Sequence, residues 1–265
     1  LWDHPLKSRT TRTLAHNTVL IDGKDQVTRE RGGDVHFFRT SEHVKVMEAS
    51  SRAYPNARLY RRTSALIDHG EGRNYVVDCF RVEGGATQDF VYHAGAAVTT
   101  VGASAAAALA SENLYDFRRL QAISSATVWR ASWPAGPALT AVAWNVSQPG
   151  ERAFIGDGWG QRDWKNSDLG ATLPYVVRRT EGAGMKTFFT VFEAHAGNSP
   201  FVRNVRLGEN GALVIETALG TDTMMSSLES GTLTLPGVVS TAPLRGRFAV
   251  ASVQGGRLAW TFVQK

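Results

Sequence analysis

Four segments hold the residues best suited to chemistry. The first is Thr13–Gly23, where a His-Asn-Thr triplet, His16-Asn17-Thr18, opens an otherwise apolar run. Strand alternation puts His16, Thr18 and Leu20 on one face and Asn17, Val19 and Ile21 on the other. A neutral imidazole is a common metal ligand. Zinc, however, takes at least three protein ligands, and the chain contains no HxH or HExxH spacing. His16 therefore needs partners distant in sequence, and a satisfied structural histidine is the competing reading. The second segment is a basic set, Lys7, Arg9, Arg12, Arg29, Arg31, Arg39, Arg58, Arg61 and Arg62. Arginine grips a carboxylate or sulfate through two parallel hydrogen bonds. The third, Asp89–Gly95, sets aromatic and polar residues, His93 among them, at a strand end before a long loop. Such rims on rigid scaffolds often carry function. The fourth, Gly156–Trp164, suits either a sugar-stacking loop or a turn with its tryptophans in the core, and the second reading is preferred.

The elements that must position these residues read as strands. Short β-type runs alternate with Gly, Asn and Asp turns. Val19–Ile21 meets the turn pair Asp22-Gly23. His43–Ser50 alternates, and Ser64–Ile67 and Tyr75–Val82 flank the turn-rich segment 68–72. Ala126–Trp133, Leu139–Val146, Tyr175–Thr180, Lys186–Ala194 and Ala212–Thr217 follow. Arg247–Val253 and Arg257–Val263 are joined around Gly255-Gly256. Ala103–Leu120 is the best helical candidate, but without a matching apolar face it predicts one or two short helices in a long loop. No repeat and no linker interrupts the pattern. The expectation is an all-β protein, a large two-sheet antiparallel β-sandwich forming one domain over residues 1–265.

Composition narrows the functions. Apolar residues at 43% and charged residues at 20% support a packed core. No run of about 18 apolar residues exists to span a membrane. The single cysteine, Cys79, sits in an apolar run and reads as a buried small hydrophobe. The net charge of +5 is concentrated in residues 1–62, which hold 12 Lys and Arg against 7 Asp and Glu. A local basic surface attracts an anionic polymer. Nucleic acid is disfavoured, because aromatic interleaving and any nucleic-acid-binding motif are missing. The sequence has no GxSxG elbow, P-loop or dinucleotide fingerprint.

Ala15-His16-Asn17-Thr18-Val19-Leu20-Ile21-Asp22-Gly23-Lys24-Asp25-Gln26 resembles the signature of heparinase II/III-like proteins. The downstream order is similar too. Arg61-Arg62-Thr63 leads to Tyr75–Gly85 and then to an aromatic segment ending at His93. Arg178-Arg179 later precedes Thr187–Glu193. The resemblance implies the C-terminal β-sandwich of a polysaccharide lyase, coupled to an N-terminal (α/α) toroid and exported to the periplasm or secreted. Such enzymes cleave uronate-containing polysaccharides, heparan-like or alginate-like, by β-elimination. It also implies zinc or another divalent metal with His16 as one ligand. Asn17, Arg9, Arg12 and His93 are the expected substrate-side residues.

The family's other metal ligands lie before the His-Asn-Thr block, and Asp3 and His4 do not fit their pattern. The chain is therefore expected to be part of a longer protein, with an incomplete metal site and no assignable base or acid of its own. A non-catalytic module that binds anionic glycans is the alternative. A glycoside hydrolase or sugar epimerase on a similar sandwich is a third reading, because fold alone does not fix function.

Overall fold

The computed structural model describes residues 7–27, 29, 31–105, 114–160, 170–208, 210–238 and 243–265. A single helical turn, α1 (Lys7–Thr10), and a 3-10 turn at Thr13–Ala15 precede the strands. The first strands are β1 (Thr18–Ile21), β2 (Gly33–Thr40), β3 (Val44–Ser51), β4 (Ala57–Asp68), β5 (Asn74–Gly84), β6 (Thr87–His93) and β7 (Thr99–Ala105). Next come β8 (Arg118–Gly136), β9 (Leu139–Val146), β10 (Arg152–Trp159), β11 (Thr172–Glu181) and β12 (Lys186–Ala196). The last are β13 (Val202–Leu207), β14 (Leu213–Thr217), β15 (Gly220–Leu233), β16 (Leu244–Gln254) and β17 (Arg257–Gln264).

The strands form two antiparallel sheets, as the alternating pattern predicts. The larger runs β1-β6-β11-β10-β8-β9-β12-β5-β4-β3-β2, with β7 paired to β8. The smaller runs β13-β14-β15-β16-β17. The larger sheet bends back on itself. Phe90 of β6 and Phe188 of β12, with four strands between them along the sheet, stack at 5.6 Å between ring centres. Phe80 and Val82 of β5 share that inner core with Val19, Tyr92, Trp129 and Val176. The opposite face of β5 carries Tyr75, Val77 and Cys79 into a second core with Phe201, Ile215 and Phe248 of the five-stranded sheet region. β5 is thus covered on both sides, which explains its nearly continuous apolar run. Burial pushes the Cys79 thiol up to about 12, as expected for an inert buried side chain.

Two expectations are corrected. Of the proposed helical stretch Ala103–Leu120, residues 103–105 finish β7 and 118–120 begin β8, while 106–113 lie outside the described residues. The alanines favoured a helix locally, but pairing with a neighbouring strand overrides that propensity at both ends. Among the described residues, the short helical turns lie in the segment before β1. Gly156–Trp159 is not a turn. It completes β10, paired with β11 from Gly156↔Tyr175 to Trp159↔Thr172. Trp159 is half-buried there rather than in the core, and residues 161–164 lie outside the described residues.

Candidate functional site at the β1–β6–β11 rim

In the His-Asn-Thr block nearly every polar side chain is committed to structure. The Asn17 side-chain oxygen accepts the His93 amide N–H at 3.1 Å. Thr18 Oγ1 lies 2.8 Å from the Tyr60 hydroxyl, which donates to the Val19 carbonyl at 2.7 Å. Gln26 Nε2 donates to the same hydroxyl at 2.9 Å. Val19, Leu20 and Ile21 are fully buried. Asp25 accepts from the Thr13 amide at 2.9 Å and from Arg12 Nε at 3.0 Å. His16 is the exception. Its ring is exposed and makes no hydrogen bond among the described residues.

Asp22 ties the block to the β5–β6 hairpin. With φ at 53°, its Oδ1 accepts the amides of Ala86 at 2.6 Å and Thr87 at 3.0 Å. Gly85 makes this approach possible, since a Cβ there would sit 2.3 Å from Ile21 Cγ2, at a φ of +69° that disfavours other residues. Burial alone would raise the Asp22 carboxyl. The Thr87 and Ala86 amides, Lys24 and Asn56 together outweigh it and hold the group below its ordinary value. A depressed folded value gives stability that is present above the unfolded carboxylate value of about 3.9 and lost as pH falls through the folded one. Asp22→Asn keeps the left-handed backbone and the acceptor but removes the charge. The gap in Tm between wild type and this variant should be open at neutral pH and close in acid. A gap that does not change with pH would show that the charge does not hold the hairpin.

The rim gathers the residues that the sequence singled out. Extending the β1–β6 register by two places from Thr18↔Val91 sets His16 opposite His93, and His93 is opposite Tyr175 on β11. The His93 ring meets the Tyr175 ring edge-on at 4.3 Å. Its Nε2 lies 3.3 Å from the Leu14 carbonyl. A carbonyl only accepts, so Nε2 carries the proton and Nδ1 keeps its lone pair. Desolvation, then the neighbouring His16, hold His93 below its usual value against the opposing pull of Leu14. Arg9 stacks over the Trp159 ring at 4.5 Å, and Arg118 approaches the same ring at 5.6 Å. Arg9, Arg12, Leu14, Tyr115, Trp159 and Tyr175 line a small pocket of about 40 Å³.

The structure thus brings His16, Asn17, Arg9, Arg12 and His93 to one rim. Trp159 and Tyr175 were not recognised as members of it. The Tyr175 hydroxyl is pushed up to about 12 by burial and donates to the Trp159 carbonyl at 2.6 Å, so it positions that tryptophan. The sequence signal is indirect: Trp159 closes β10 and Tyr175 lies in the first half of β11, at the end of the sheet where β6 finishes. As for metal, no three His, Cys, Asp or Glu side chains converge among the described residues. The described residues do not by themselves make a metal site. The bare His16 ring offers one donor, and Asp3 and His4 lie outside the described residues.

The family model described as heparinase II/III-like, C-terminal matches residues 3–156. No curated protein sequence matches the chain. Among solved structures, the fold is similar to that of the heparan sulfate lyase HepC from Pedobacter heparinus, with a TM-score of 0.58 at 13% identity. That match covers 82% of this chain and 31% of HepC. The Heparinase III-BT4657 gene product is similar at 12% identity and TM-score 0.57, covering 80% of this chain and 30% of that one. Heparinase III is similar at 11% identity and TM-score 0.53, covering 80% and 29%. Identities this low show a shared fold alone, and the chain spans about a third or less of each of those proteins. The family match runs from before the His-Asn-Thr block to Gly156 in β10 and takes in most of the rim, and on that ground the chain belongs to the heparinase II/III-like, C-terminal family.

Proposed function

We propose that this chain is the C-terminal sandwich of an exported polysaccharide lyase that cleaves uronate-containing anionic polysaccharides by β-elimination. The observation that carries the reading is the bare, exposed His16 on a rim whose other motif residues are committed to holding it there. In this reaction a base removes the C5 proton, the C4–oxygen bond breaks, a C4=C5 double bond forms and the leaving oxygen is protonated. The C5 proton becomes acidic enough only when the adjacent carboxylate is neutralised. Arg9 and Arg12 stand at the rim to meet such a carboxylate. Asn17 spends its carbonyl oxygen on His93, which leaves its amide N–H groups as donors. The His93 Nδ1 lone pair can accept a proton or a hydrogen bond from a sugar hydroxyl.

His16 would contribute one ligand to a divalent metal, zinc in this reading, with the remaining donors supplied from outside the described residues. β1 is the edge strand of the large sheet. The rim beside it suits the docking of a helical toroid that completes the reaction centre. The test mixes the full-length protein with heparan sulfate, alginate, hyaluronan and chondroitin and follows the ultraviolet absorbance of an unsaturated uronate. New absorbance with at least one polymer is expected. Retardation of a polymer on a gel with no absorbance from any of them would overturn the lyase reading in favour of a glycan-binding module.

A further inference from the structure

The five-stranded sheet and the β5–β12 layer part at one end around a cleft of about 500 Å³. This cleft lies on the far side of the β5–β12 layer from the rim. Its floor is apolar, built from Phe189, Leu207, Met225 and Leu233. Its polar wall is rich in donors. Arg81 is only 5% exposed and spends two of its N–H groups on Ser226, on Oγ at 3.1 Å and on the carbonyl at 2.7 Å. A guanidinium has five N–H donors. Among the described residues no carboxylate lies within ion-pair distance of Arg81. Of the buried carboxylates between the same two sheets, Glu48 is taken by Arg61 and by Thr63 Oγ1 at 2.7 Å, and Asp222 by Tyr75 at 2.6 Å and His69 at 2.7 Å.

A second group in the cleft points the same way. Gln148 Nε2 is buried with no acceptor among the described residues, while its Oε1 accepts the Thr187 amide at 2.9 Å. Among the described residues, one wall therefore presents a buried cation without a paired carboxylate and an unpartnered amide donor. Buried charge is costly unless it is paired. An anion placed between Arg81 and Gln148 satisfies both groups. The volume lies within the range of small-molecule sites, and an apolar floor under a few convergent polar groups is their usual lining. Thr232 adds a hydroxyl to the lining, while the Asn210 side chain there is engaged by the Thr234 carbonyl at 2.7 Å and the Ala212 amide at 3.2 Å.

We propose that this cleft binds a carboxylate-bearing sugar of one or two rings, its carboxylate on Arg81 and Gln148 and its ring over Phe189 and Met225. The inference rests on the cleft alone and not on the chemistry of the rim. The test titrates the full-length protein with glucuronate, glucose and acetate by calorimetry, in wild type and in a His16→Ala background that disables the rim. Glucuronate should bind saturably in both, with glucose and acetate weaker by about tenfold or more. Arg81→Gln should weaken glucuronate by about tenfold or more. Thr232→Trp should block the cleft while leaving Arg81 in place, and it carries the test if the Arg81 variant does not fold. No saturable glucuronate binding, acetate binding as tightly as glucuronate, or unchanged affinity in Thr232→Trp would each overturn the proposal.

Discussion

Arg178→Met is expected to destabilise the fold by about 3–5 kcal/mol, the cost of leaving one partner of a buried ion pair alone. Arg178 is completely buried on β11 and reaches across the fold of the large sheet. Its Nε and Nη2 hold the two oxygens of buried Glu151 at 2.7 and 3.0 Å. Nη1 donates to the Phe189 carbonyl at 2.9 Å and to Thr190 Oγ1 at 3.1 Å, and Nη2 also donates to the Val146 carbonyl. The guanidinium lies 5.5 Å from the Phe188 ring and 6.0 Å from that of Phe90, the pair that stacks between the layers. One side chain thus ties β11 to β9 and β12. Methionine fills the space but strands the Glu151 carboxylate and two carbonyls. Lysine keeps the charge and loses the planar fork, so it should rescue little. The double variant Arg178→Met with Glu151→Leu removes both charges and should recover part of the loss. Denaturant titration of the purified protein measures all three. A single variant within about 1 kcal/mol of wild type would contradict the account, because ordinary substitutions cluster there.

That role was not legible in the sequence. Arg178-Arg179 was readable as part of an ordered resemblance, yet the pairings join residues far apart in the chain. Arg178 meets Glu151, and Arg179 grips Asp89 through Nε at 2.7 Å and Nη2 at 2.6 Å. The basic first quarter shows the same limit. Counting gave the excess charge but not its use, and Arg12, Arg52, Arg58, Arg61 and Arg62 each pair with a carboxylate. The fold class was legible because alternation has period two and turn residues recur. β15 was missed because Gly220–Leu233 is largely polar and bulges between Ser226 and Gly231, which breaks the alternation. At the rim, the His-Asn-Thr block could be read directly, because its spacing is local. Trp159 and Tyr175 could not, because strand order and not sequence distance sets them beside His93.

His16→Ala in the full-length protein should separate function from stability. The exposed ring makes no hydrogen bond among the described residues, so removing it should change stability by no more than about 0.5 kcal/mol, as for ordinary surface substitutions. Activity on the responsive uronate polymer should fall by about 100-fold or more, and the metal-to-protein ratio should fall with it, because losing even an outer-shell partner of a metal costs 10–100-fold. Asn17→Ala is the informative contrast. Its side chain bridges β1 to the His93 amide, so its loss should lower stability by about 1 kcal/mol while leaving the His16 ring in place. The two neighbours are therefore expected to fail differently, one in metal content at unchanged Tm and the other in Tm with metal retained. Full metal content together with full activity in His16→Ala would remove this histidine from the ligand set. The rim would then be left with its arginines and the Asn17 amide as a surface for recognising carboxylates.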